Sequence, residues 1–453
     1  MVLRPTAVVA ALVGCLTLAS TTDAPGASLK TDVETFTLAN GLQLVVVPDR
    51  RAPVVTHMVW YKVGAADEPL GQAGIAHFLE HLMFKGTPKH PIGEFSRLIR
   101  RNGGEENAFT SQDYTAYFQR LKRDKLELAM ELEADRMANL VLKEEDVLTE
   151  LAVVEEERRS GTDNDPTSLL VEQMDAALYT AHPYGKPVIG WMSEVATLTR
   201  DDAVAFYRAH YTPRNAIVIV AGDVTAAKVK PLAEKYYGVL ANSAEPQERR
   251  RPPEPDPIAA RRVEMSDPRV GIDLLQRSYL TPSYSTAQGR DGPALDVLAD
   301  ILGGSATSRL PRRLVIDERI AQEAGAFFTG DARDSGKLVA YAAAAPGSDL
   351  VRIESAIDQV LSEVAKDGVK AVELERAKKR LQAGAIYALD SQSQLARLFG
   401  EALTTGSTTD DVLNWGDRIG AVTIEDVRGV ALKFLQPERS VTGIIRPPQS
   451  SNP

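Results

Sequence analysis

A segment rich in proline and charge, residues 242–262 (NSAEPQERRRPPEPDPIAARR), divides the chain into two parts of similar size. It has no apolar periodicity, which is typical of a linker rather than of a helix or strand. A chain of 453 residues is also too long for one compact core. We therefore expect two domains, residues 28–241 and 263–453, and their similar sizes suggest a duplicated architecture.

The residues on either side of this segment predict mixed secondary structure. Residues 34–49 (ETFTLANGLQLVVVPD) alternate apolar and polar side chains around an Asn-Gly pair, as a β-hairpin does. After the linker, residues 292–304 and the long run 349–390 have helical character, whereas the alanine-rich residues 337–347 resemble a strand. Helices and strands do not alternate regularly, so the predicted fold class is α+β.

The charge balance of the chain indicates which classes of molecule it can bind. The formal net charge is -10, with 52 Lys and Arg against 62 Asp and Glu. Proteins that bind nucleic acid neutralise its phosphates with clustered Lys and Arg, which are not in excess here. We therefore expect no nucleic-acid partner, and neutral or basic peptides fit the charge more readily.

Residues 1–27 have the pattern of a secretory signal. Arg4 supplies an early cation, residues 7–19 are apolar, and small and polar residues follow. The apolar stretch is too short to cross a bilayer as a helix, so we expect no transmembrane span in the mature chain. The pattern predicts export, to the periplasm of a bacterium, and a disordered apolar tail is the alternative.

Cys15, within the sequence LVGC, is the only cysteine of the chain. This stretch resembles the cleavage box of bacterial lipoproteins. Because the apolar residues continue past Cys15, ordinary cleavage further along is favoured, and a lipid anchor on Cys15 is the alternative. In either case no internal disulfide can form, so an exported chain depends on its core for stability.

Residues 77–81 (HFLEH) place two histidines and a glutamate in an otherwise apolar stretch. On a helix, His77 and His81 are four residues apart and share one face, with Glu80 beside them. Two neutral imidazoles can bind Zn²⁺ while a carboxylate that is not a ligand takes a proton from water. The alternative is a helix whose histidines pack or hydrogen-bond in the core.

A catalytic zinc site usually has three protein ligands and one open position, so a further ligand is needed. Residues 145–166 (EDVLTELAVVEEERRSGTDNDP) include Glu150 and Glu157, which are two helical turns apart and share a face. Taken alone, such an acidic run is more typical of a solvated helix face than of a helix that carries ligands.

Together these residues resemble the pitrilysin or insulinase-like zinc peptidases. His77, Glu80 and His81 match the inverted motif His-x-x-Glu-His, and Glu157 lies where that family has its third ligand. The resemblance implies an α+β fold with two related α/β-sandwich domains. It also implies a zinc-dependent endopeptidase that binds one Zn²⁺ per chain and acts on peptides or unfolded segments.

The resemblance extends beyond the metal motif. Residues 103–118 (GGEENAFTSQDYTAYF) are similar to the family's Asn-Ala-x-Thr substrate strand, and residues 182–224 are similar to its next block. It spans nearly all of residues 30–240 and fades after the linker. Chain length and the segment GGSATSRL still resemble the short-chain branch, which includes mitochondrial processing peptidase β-subunits and bacterial relatives.

The family assigns a role to each matched residue. His77, His81 and Glu157 would be the zinc ligands, and Glu80 would be the general base that takes a proton from water and passes it to the leaving amine. Glu150 matches a position beside the metal, where an acidic group orients a ligand histidine. A surface carboxylate is the alternative for Glu150.

Asn107, Ala108 and Phe109 resemble the strand against which the family binds its substrate as an added β-strand. Main-chain hydrogen bonds of this kind bind peptides with little regard for their sequence, so the resemblance implies broad specificity. For Asn107 alone, an ordinary turn residue is the alternative.

One departure from the family pattern concerns the C-terminal half. Members that work alone have an Arg and a Tyr after the Ser-Arg-Leu segment, and both contact bound substrate. Here Val315 and Gln322 stand at those positions, and neither supplies a guanidinium or a phenol. Arg312 or Arg313 substitutes only if the register slips. We therefore expect a heterodimer in which a related, metal-free subunit supplies the missing contacts.

Two functions of other classes compete with a peptidase. A non-catalytic assembly subunit would lose metal-site residues, whereas this chain retains all four. A periplasmic zinc-binding protein would keep the ligands but would have no need of Glu80. The sequence therefore favours the metal-bearing subunit of a zinc endopeptidase.

Overall fold

The computed structural model describes residues 32–245 and 248–448. The predicted signal segment, residues 1–27, and Cys15 lie outside the described residues. Two β-sheets, each covered by helices, confirm the α+β fold class. Among the described helices, none is long and apolar enough to cross a membrane.

The elements have the following bounds. The strands are β1 (Glu34–Thr37), β2 (Gln43–Pro48), β3 (Val54–Tyr61), β4 (Glu105–Thr110), β5 (Thr115–Lys122), β6 (Ala216–Gly222), β7 (Arg261–Ser266), β8 (Leu274–Pro282), β9 (Ala321–Thr329), β10 (Ser335–Ala344) and β11 (Ser440–Arg446). The helices are α1 (Ile75–Leu82), α2 (Glu94–Arg101), α3 (Leu126–Asn139), α4 (Glu144–Arg158), α5 (Pro166–Leu178), α6 (Met192–Val195), α7 (Arg200–His210), α8 (Ala226–Tyr236), α9 (Asp291–Gly303), α10 (Arg309–Pro311), α11 (Leu350–Asp367), α12 (Ala371–Ala388), α13 (Gln392–Thr405), α14 (Thr409–Leu413), α15 (Trp415–Gly420) and α16 (Ile424–Phe434).

The two sheets repeat one topology. The first has the strand order β1-β2-β6-β3-β5-β4, and the second has the order β7-β11-β8-β10-β9. The pairs β2 with β6 and β7 with β11 are parallel, and the pairs that follow in each sheet are antiparallel. Apart from β1, each strand of the first sheet therefore has a counterpart in the second, in the same chain order.

The helices follow the same duplication. Helix α1 comes after β3 and packs against α4 and α7, whereas α9 comes after β8 and packs against α12 and α16. Each set of helices buries its apolar side chains on its own sheet, in two separate cores. The positions of α1 and α4 in the first half thus correspond to those of α9 and α12 in the second.

Two further helices cross between the halves. Helix α5 packs on β7 and β11 of the second sheet, and α13 packs on β3 and β6 of the first. Phe399 of α13 shares a buried cluster with Trp60 of β3. A Cβ on the neighbouring Gly400 would lie 1.9 Å from the Trp60 indole, so only glycine fits there. The two halves are therefore interleaved rather than joined by the linker alone.

Most elements form where the sequence predicts them. Residues 34–49 form the hairpin of β1 and β2, and β10 lies within 335–344. The helical character predicted over residues 349–390 is present in two helices, since α11 ends at Asp367 and α12 begins at Ala371. Between them, Gly368 has a φ of 76°, a left-handed conformation that ends the first helix.

The segment 242–262 contains no helix and only the start of a strand in its described part. Strand β7 begins at Arg261, so the last two residues of the segment belong to the second sheet. The domain bounds 28–241 and 263–453 stay a prediction.

Candidate metal centre

Helix α1 presents its polar residues on one side. Its buried apolar residues are Ile75, Ala76, Phe78, Leu79 and Leu82. Because these side chains pack into the first core, the remaining positions His77, Glu80 and His81 lie on the opposite face of the helix. The helix and the shared face that the spacing predicts are both present.

The start of α1 is fixed by a glycine and a buried carboxylate. Gly74 has a φ of 97°, and a Cβ there would lie 2.7 Å from the carbonyl oxygen of Ile189. Glu68 accepts hydrogen bonds from the backbone N–H groups of Gly74 and Ala76, each at 3.0 Å. A carboxylate in this place satisfies helix donors that have no partner within the helix. The orientation of the histidine-bearing helix is therefore set by contacts outside it.

Helix α4 brings Glu157 to the two histidines. Its Oε2 lies 3.2 Å from Nε2 of His81 and 3.9 Å from Nε2 of His77. One ligand-type atom from each of the three side chains lies within 4.8 Å of the others. Two imidazoles and a carboxylate are ligands that zinc prefers, and a tetrahedral zinc places its ligand atoms roughly 3.4 Å apart. The three side chains therefore fit a zinc ion after small adjustments of their rotamers.

Charge at this point also favours a cation. Burial lowers the pKa of His77 to about 4, and the neighbouring His81 lowers it further. Burial lowers the pKa of His81 as well, but hydrogen bonds to Glu150 and Glu157 outweigh it and raise the pKa to about 9. His77 is therefore neutral and can donate an electron pair to a cation. Glu150 and Glu157 stabilise a positive charge at His81.

Glu150 lies behind His81, as the family resemblance implies. Its Oε1 is 2.8 Å from Nδ1 of His81, and its Oε2 is 2.5 Å from Nζ of Lys85. The contact with Nδ1 leaves Nε2 of His81 directed at Glu157, so Glu150 fixes the orientation of the ring. The alternative of a free surface carboxylate does not fit this contact. Lys85 could not be identified from the sequence, because its role depends on Glu150, which lies on another helix.

Glu80 is held by a residue that sequence reasoning missed. The hydroxyl of Thr110 on β4 donates a hydrogen bond of 2.6 Å to Oε2 of Glu80. Burial raises the pKa of Glu80 to about 7, although the hydrogen bond from Thr110 and the charge of His81 act in the opposite direction. Thr110 is the last residue of the Asn-Ala-x-Thr motif. Side chains of a strand alternate between its two faces, so Thr110 lies on the same face as Ala108 and could have been predicted from the sequence.

Strand β4 lies at the edge of the first sheet, next to α1. Ala108 and Thr110 face the metal centre, whereas Phe109 packs on the other face of the sheet against Trp60. Asn107 is exposed, and its Oδ1 accepts from the backbone N–H of Ala108 at 2.9 Å. A peptide laid along this edge would meet the main chain of Asn107, Ala108 and Phe109.

A cavity of about 710 Å³ opens beside these groups. His77, Glu80 and Glu157 line one side of it, and Val171, Val188 and Ile189 contribute apolar surface. Its size lies within the range of small-ligand pockets, so it can hold a few amino-acid side chains next to the metal centre.

The positions of the missing Arg and Tyr lie in the other half. Val315 and Gln322 line a cavity of about 340 Å³ there. Arg312 and Arg313 line a different cavity, of about 650 Å³. Arg313 is paired with Glu318 at 2.8 Å. Arg312 and Arg313 thus line a different cavity from Val315 and Gln322, and the expectation of a partner stays a prediction.

Two family models cover most of the described chain. Residues 44–191 match the model described as Insulinase (Peptidase family M16). Residues 197–381 match the model described as Peptidase M16 inactive domain. The first match contains His77, Glu80, His81 and Glu157, and the second contains the helix α9.

Individual proteins match over nearly the whole length. Zinc protease PqqE of Helicobacter pylori is 33% identical over 418 residues, which cover 91% of this chain and 93% of that protein. The probable mitochondrial-processing peptidase subunit beta of Schizosaccharomyces pombe is 28% identical over 416 residues, 89% of this chain and 88% of that protein. The crystal structure of a protease from Helicobacter pylori is similar with a TM-score of 0.87 and 33% identity, and it covers 92% of this chain and 100% of that chain.

Proposed function

Because this chain belongs to the insulinase family of M16 peptidases, we propose that it is a zinc-dependent endopeptidase that hydrolyses peptides or unfolded segments. The observation that carries the proposal is the position of Glu80 on the same helix face as two of three convergent ligand-type side chains, His77, His81 and Glu157. Within the described ranges, ligand atoms converge at this one place, which supports one Zn²⁺ per chain.

Each residue of the centre has a separate task in hydrolysis. When bound, zinc acts as a Lewis acid that polarises the scissile carbonyl and makes water easier to deprotonate. Glu80 takes the proton of the attacking water and returns it to the leaving amine. Thr110 holds one carboxylate oxygen of Glu80, which leaves the other oxygen for the proton. Glu150 keeps the His81 ring in the orientation that a ligand needs.

The edge of the first sheet supplies the peptide site. A substrate in extended conformation would pair with the free edge of β4, at Asn107, Ala108 and Phe109, through main-chain hydrogen bonds. Such pairing favours an unfolded segment, because most backbone N–H and C=O groups of a folded protein already have hydrogen-bond partners. The cavity beside Glu80 would then receive neighbouring side chains.

The functional unit proposed is a heterodimer, exported to the periplasm. Val315 and Gln322 leave the second half without the substrate contacts that lone members of the family have, so a related subunit without the metal would supply them. One relative is itself named a subunit, the mitochondrial-processing peptidase subunit beta, which is consistent with pairing. The signal pattern of residues 1–27 supports export.

The proposal is tested by replacing Glu80. Glu80→Gln should lower the rate of cleavage of an unfolded peptide by roughly 10²- to 10⁴-fold, because the base is lost, while bound zinc stays unchanged. Glu156→Gln is the matched control, since Glu156 is exposed on α4 and should leave both quantities unchanged. Zinc content by metal analysis and peptide cleavage with and without chelator are the measurements.

An unchanged rate in Glu80→Gln would overturn the mechanism. Absence of cleavage by the zinc-loaded wild type, alone and with its co-purified partner, would instead favour the assembly subunit or the zinc-binding protein. The same assay tests the pairing, because full activity of the isolated chain with no gain on adding the partner would contradict a heterodimer.

A further inference from the structure

An arginine of the linker is buried among acidic side chains. Arg251 lies within the segment 242–262, yet only 5% of its side chain is exposed. It donates from Nη2 to Oδ1 of Asp67 at 2.8 Å, and from Nη1 to Oδ1 of Asp113 at 2.5 Å and to Oδ2 of Asp334 at 2.7 Å. One guanidinium thus contacts three carboxylates from three distant parts of the chain.

Two of these carboxylates occupy equivalent places in the two halves. Asp113 lies in the turn between β4 and β5, and Asp334 lies in the turn between β9 and β10. The turns also bond directly, since the backbone N–H of Arg333 donates to Oδ2 of Asp113 at 3.0 Å. Tyr184 joins both, because its hydroxyl donates to Asp113 at 2.7 Å and accepts from the backbone N–H of Asp334 at 3.1 Å. Arg251 therefore bridges the two sheets where their matching turns meet.

Asp67 and Asp113 are also close in sequence to the groups of the metal centre. The turn of Asp113 follows directly on Thr110, which bonds Glu80. Asp67 immediately precedes Glu68, which anchors the start of α1. Each carboxylate that Arg251 binds in the first half thus belongs to a segment that positions the candidate base or the histidine helix.

The charges of Arg251 and its three aspartates stabilise each other, so a neutral residue cannot take the place of Arg251. Burial disfavours the charge of Arg251, but Asp67 and Asp113 outweigh burial and raise its pKa. Burial raises the pKa of Asp334, but His182 and Arg251 outweigh it and lower the pKa to about 2. Without the guanidinium of Arg251, Asp67 would keep, among side chains, only Arg249 at 3.6 Å and Asp334 only His182 at 3.2 Å, so the three carboxylates would be held together less tightly and would separate or admit water.

We propose that Arg251 is a positioning residue for the peptidase centre. Its guanidinium holds the β4–β5 turn and the segment before α1 against the second half, and so keeps Thr110 on Glu80 and the edge of β4 aligned with the histidines. The proposal deepens the proposed peptidase function and rests on it. The linker is then a structural part of the cleft rather than a spacer.

The test compares two neighbouring arginines. Arg251→Gln removes the bridge, whereas Arg250→Gln is the matched control, because 85% of the Arg250 side chain is exposed and it pairs with the exposed Glu248. Arg251→Gln should retain zinc and lower kcat roughly 10- to 100-fold with a smaller change in KM, since misplacement of a catalytic group by about 1 Å has effects of this size. The control should match the wild type.

Hydrogen exchange gives a readout that does not depend on activity. The amides of Ala65 and Ala66 donate to the carbonyls of Ser111 and Gln112 at 3.0 and 2.9 Å, and so report the contact between the two held segments. Both amides should exchange faster in Arg251→Gln and at the wild-type rate in Arg250→Gln. Unchanged exchange in Arg251→Gln would overturn the proposal, even if the wild type had no peptidase activity.

Asp334→Asn covers the case in which Arg251→Gln does not fold. It weakens the link to the second half and leaves the contacts of Arg251 with Asp67 and Asp113 in place. We expect a folded protein with full zinc, a several-fold lower kcat and faster exchange at Ala65 and Ala66. A wild-type kcat together with wild-type exchange rates at Ala65 and Ala66 would overturn the proposed role.

Discussion

The helix pair α1 and α4 in the first half and the pair α9 and α12 in the second lie in equivalent places on sheets of the same strand order. In the first half, α1 carries His77 and His81 four residues apart, and α4 directs Glu157 at them. In the second half, α9 carries two carboxylates at the same spacing, Asp296 and Asp300. The backbone frame is shared, so the difference in chemistry comes from a few side chains.

The helices that pack on α1 and α9, α4 and α12 respectively, determine the charge around these residues in each half. In the second half, Arg380 of α12 donates from Nε to Oδ1 of Asp300 at 3.0 Å. A guanidinium therefore supplies the positive charge that this carboxylate needs. In the first half, α4 contributes two acidic residues: Glu150 is paired with Lys85, and Glu157 faces the two histidines, where a bound cation would add positive charge. The same frame thus carries a candidate metal centre in one half and an ion pair in the other, consistent with the description of the second family model as an inactive domain.

Matched substitutions in the two halves should differ most in their effect on zinc affinity. Glu157→Gln makes a charged ligand neutral and should weaken zinc binding by roughly 100-fold or more, with loss of peptide cleavage. Asp300→Asn, in the corresponding helix pair, should leave zinc affinity unchanged, because Asp300 is paired with Arg380 and lies outside the three convergent ligand-type side chains. Competitive titration against a chromophoric chelator measures both. Equal zinc affinity of Glu157→Gln and the wild type would show that Glu157 is not a ligand. The proposed difference between the two helix pairs would then be wrong.

Glu150 should have a smaller effect on the same quantity. Glu150→Gln keeps an oxygen near Nδ1 of His81 but removes its charge, so zinc affinity should fall about tenfold. Glu145→Gln, an exposed position on the same helix, is the control. A drop as large as that of Glu157→Gln would make Glu150 a ligand rather than an orienting group, and no drop would leave it without a role at the metal.

The parts of the centre that the sequence predicts are those set by local spacing. His77 and His81 share a face because four residues are about one helical turn, and the same rule places Glu150 and Glu157 together. The family resemblance then joined the two helices, which spacing alone could not do. Thr110 could have been found by alternation along β4, whereas Lys85 and Arg251 could not, because their partners lie on other segments of the chain.

The similar sizes of the two halves suggest the duplication, but the residues themselves do not show it, for a related reason. Strand order and pairing are repeated, but α1 carries two histidines where α9 carries two aspartates at the same spacing, so the identity of the residues does not reveal the repeat. The linker prediction had a similar limit. Proline and charge in residues 242–262 predict the absence of helix and strand, but composition does not show that Arg251 meets three distant aspartates.

The smallest expected effect concerns pH and the second half. Asp296 lines a cavity of about 530 Å³ and accepts a hydrogen bond from the hydroxyl of Tyr284. Burial raises the pKa of Asp296 to about 7, despite the hydrogen bond from Tyr284, and the nearby Asp331 adds to the rise. Near pH 5 the folded protein therefore holds a proton on Asp296 that the unfolded chain has largely lost.

A raised pKa in the folded state stabilises the fold at low pH, and this contribution is lost as the pH rises through about 7. Asp296→Asn cannot ionise, so between pH 5 and 8 the wild type should lose about 2 kcal/mol of unfolding free energy relative to this variant. Urea unfolding at both pH values, with saturating zinc, measures the difference, and Asp317→Asn at an exposed position of the same half is the control. If wild type and Asp296→Asn changed in parallel, Asp296 would be ionised in the folded protein, and the second half would hold a negative charge where the first half is proposed to hold zinc.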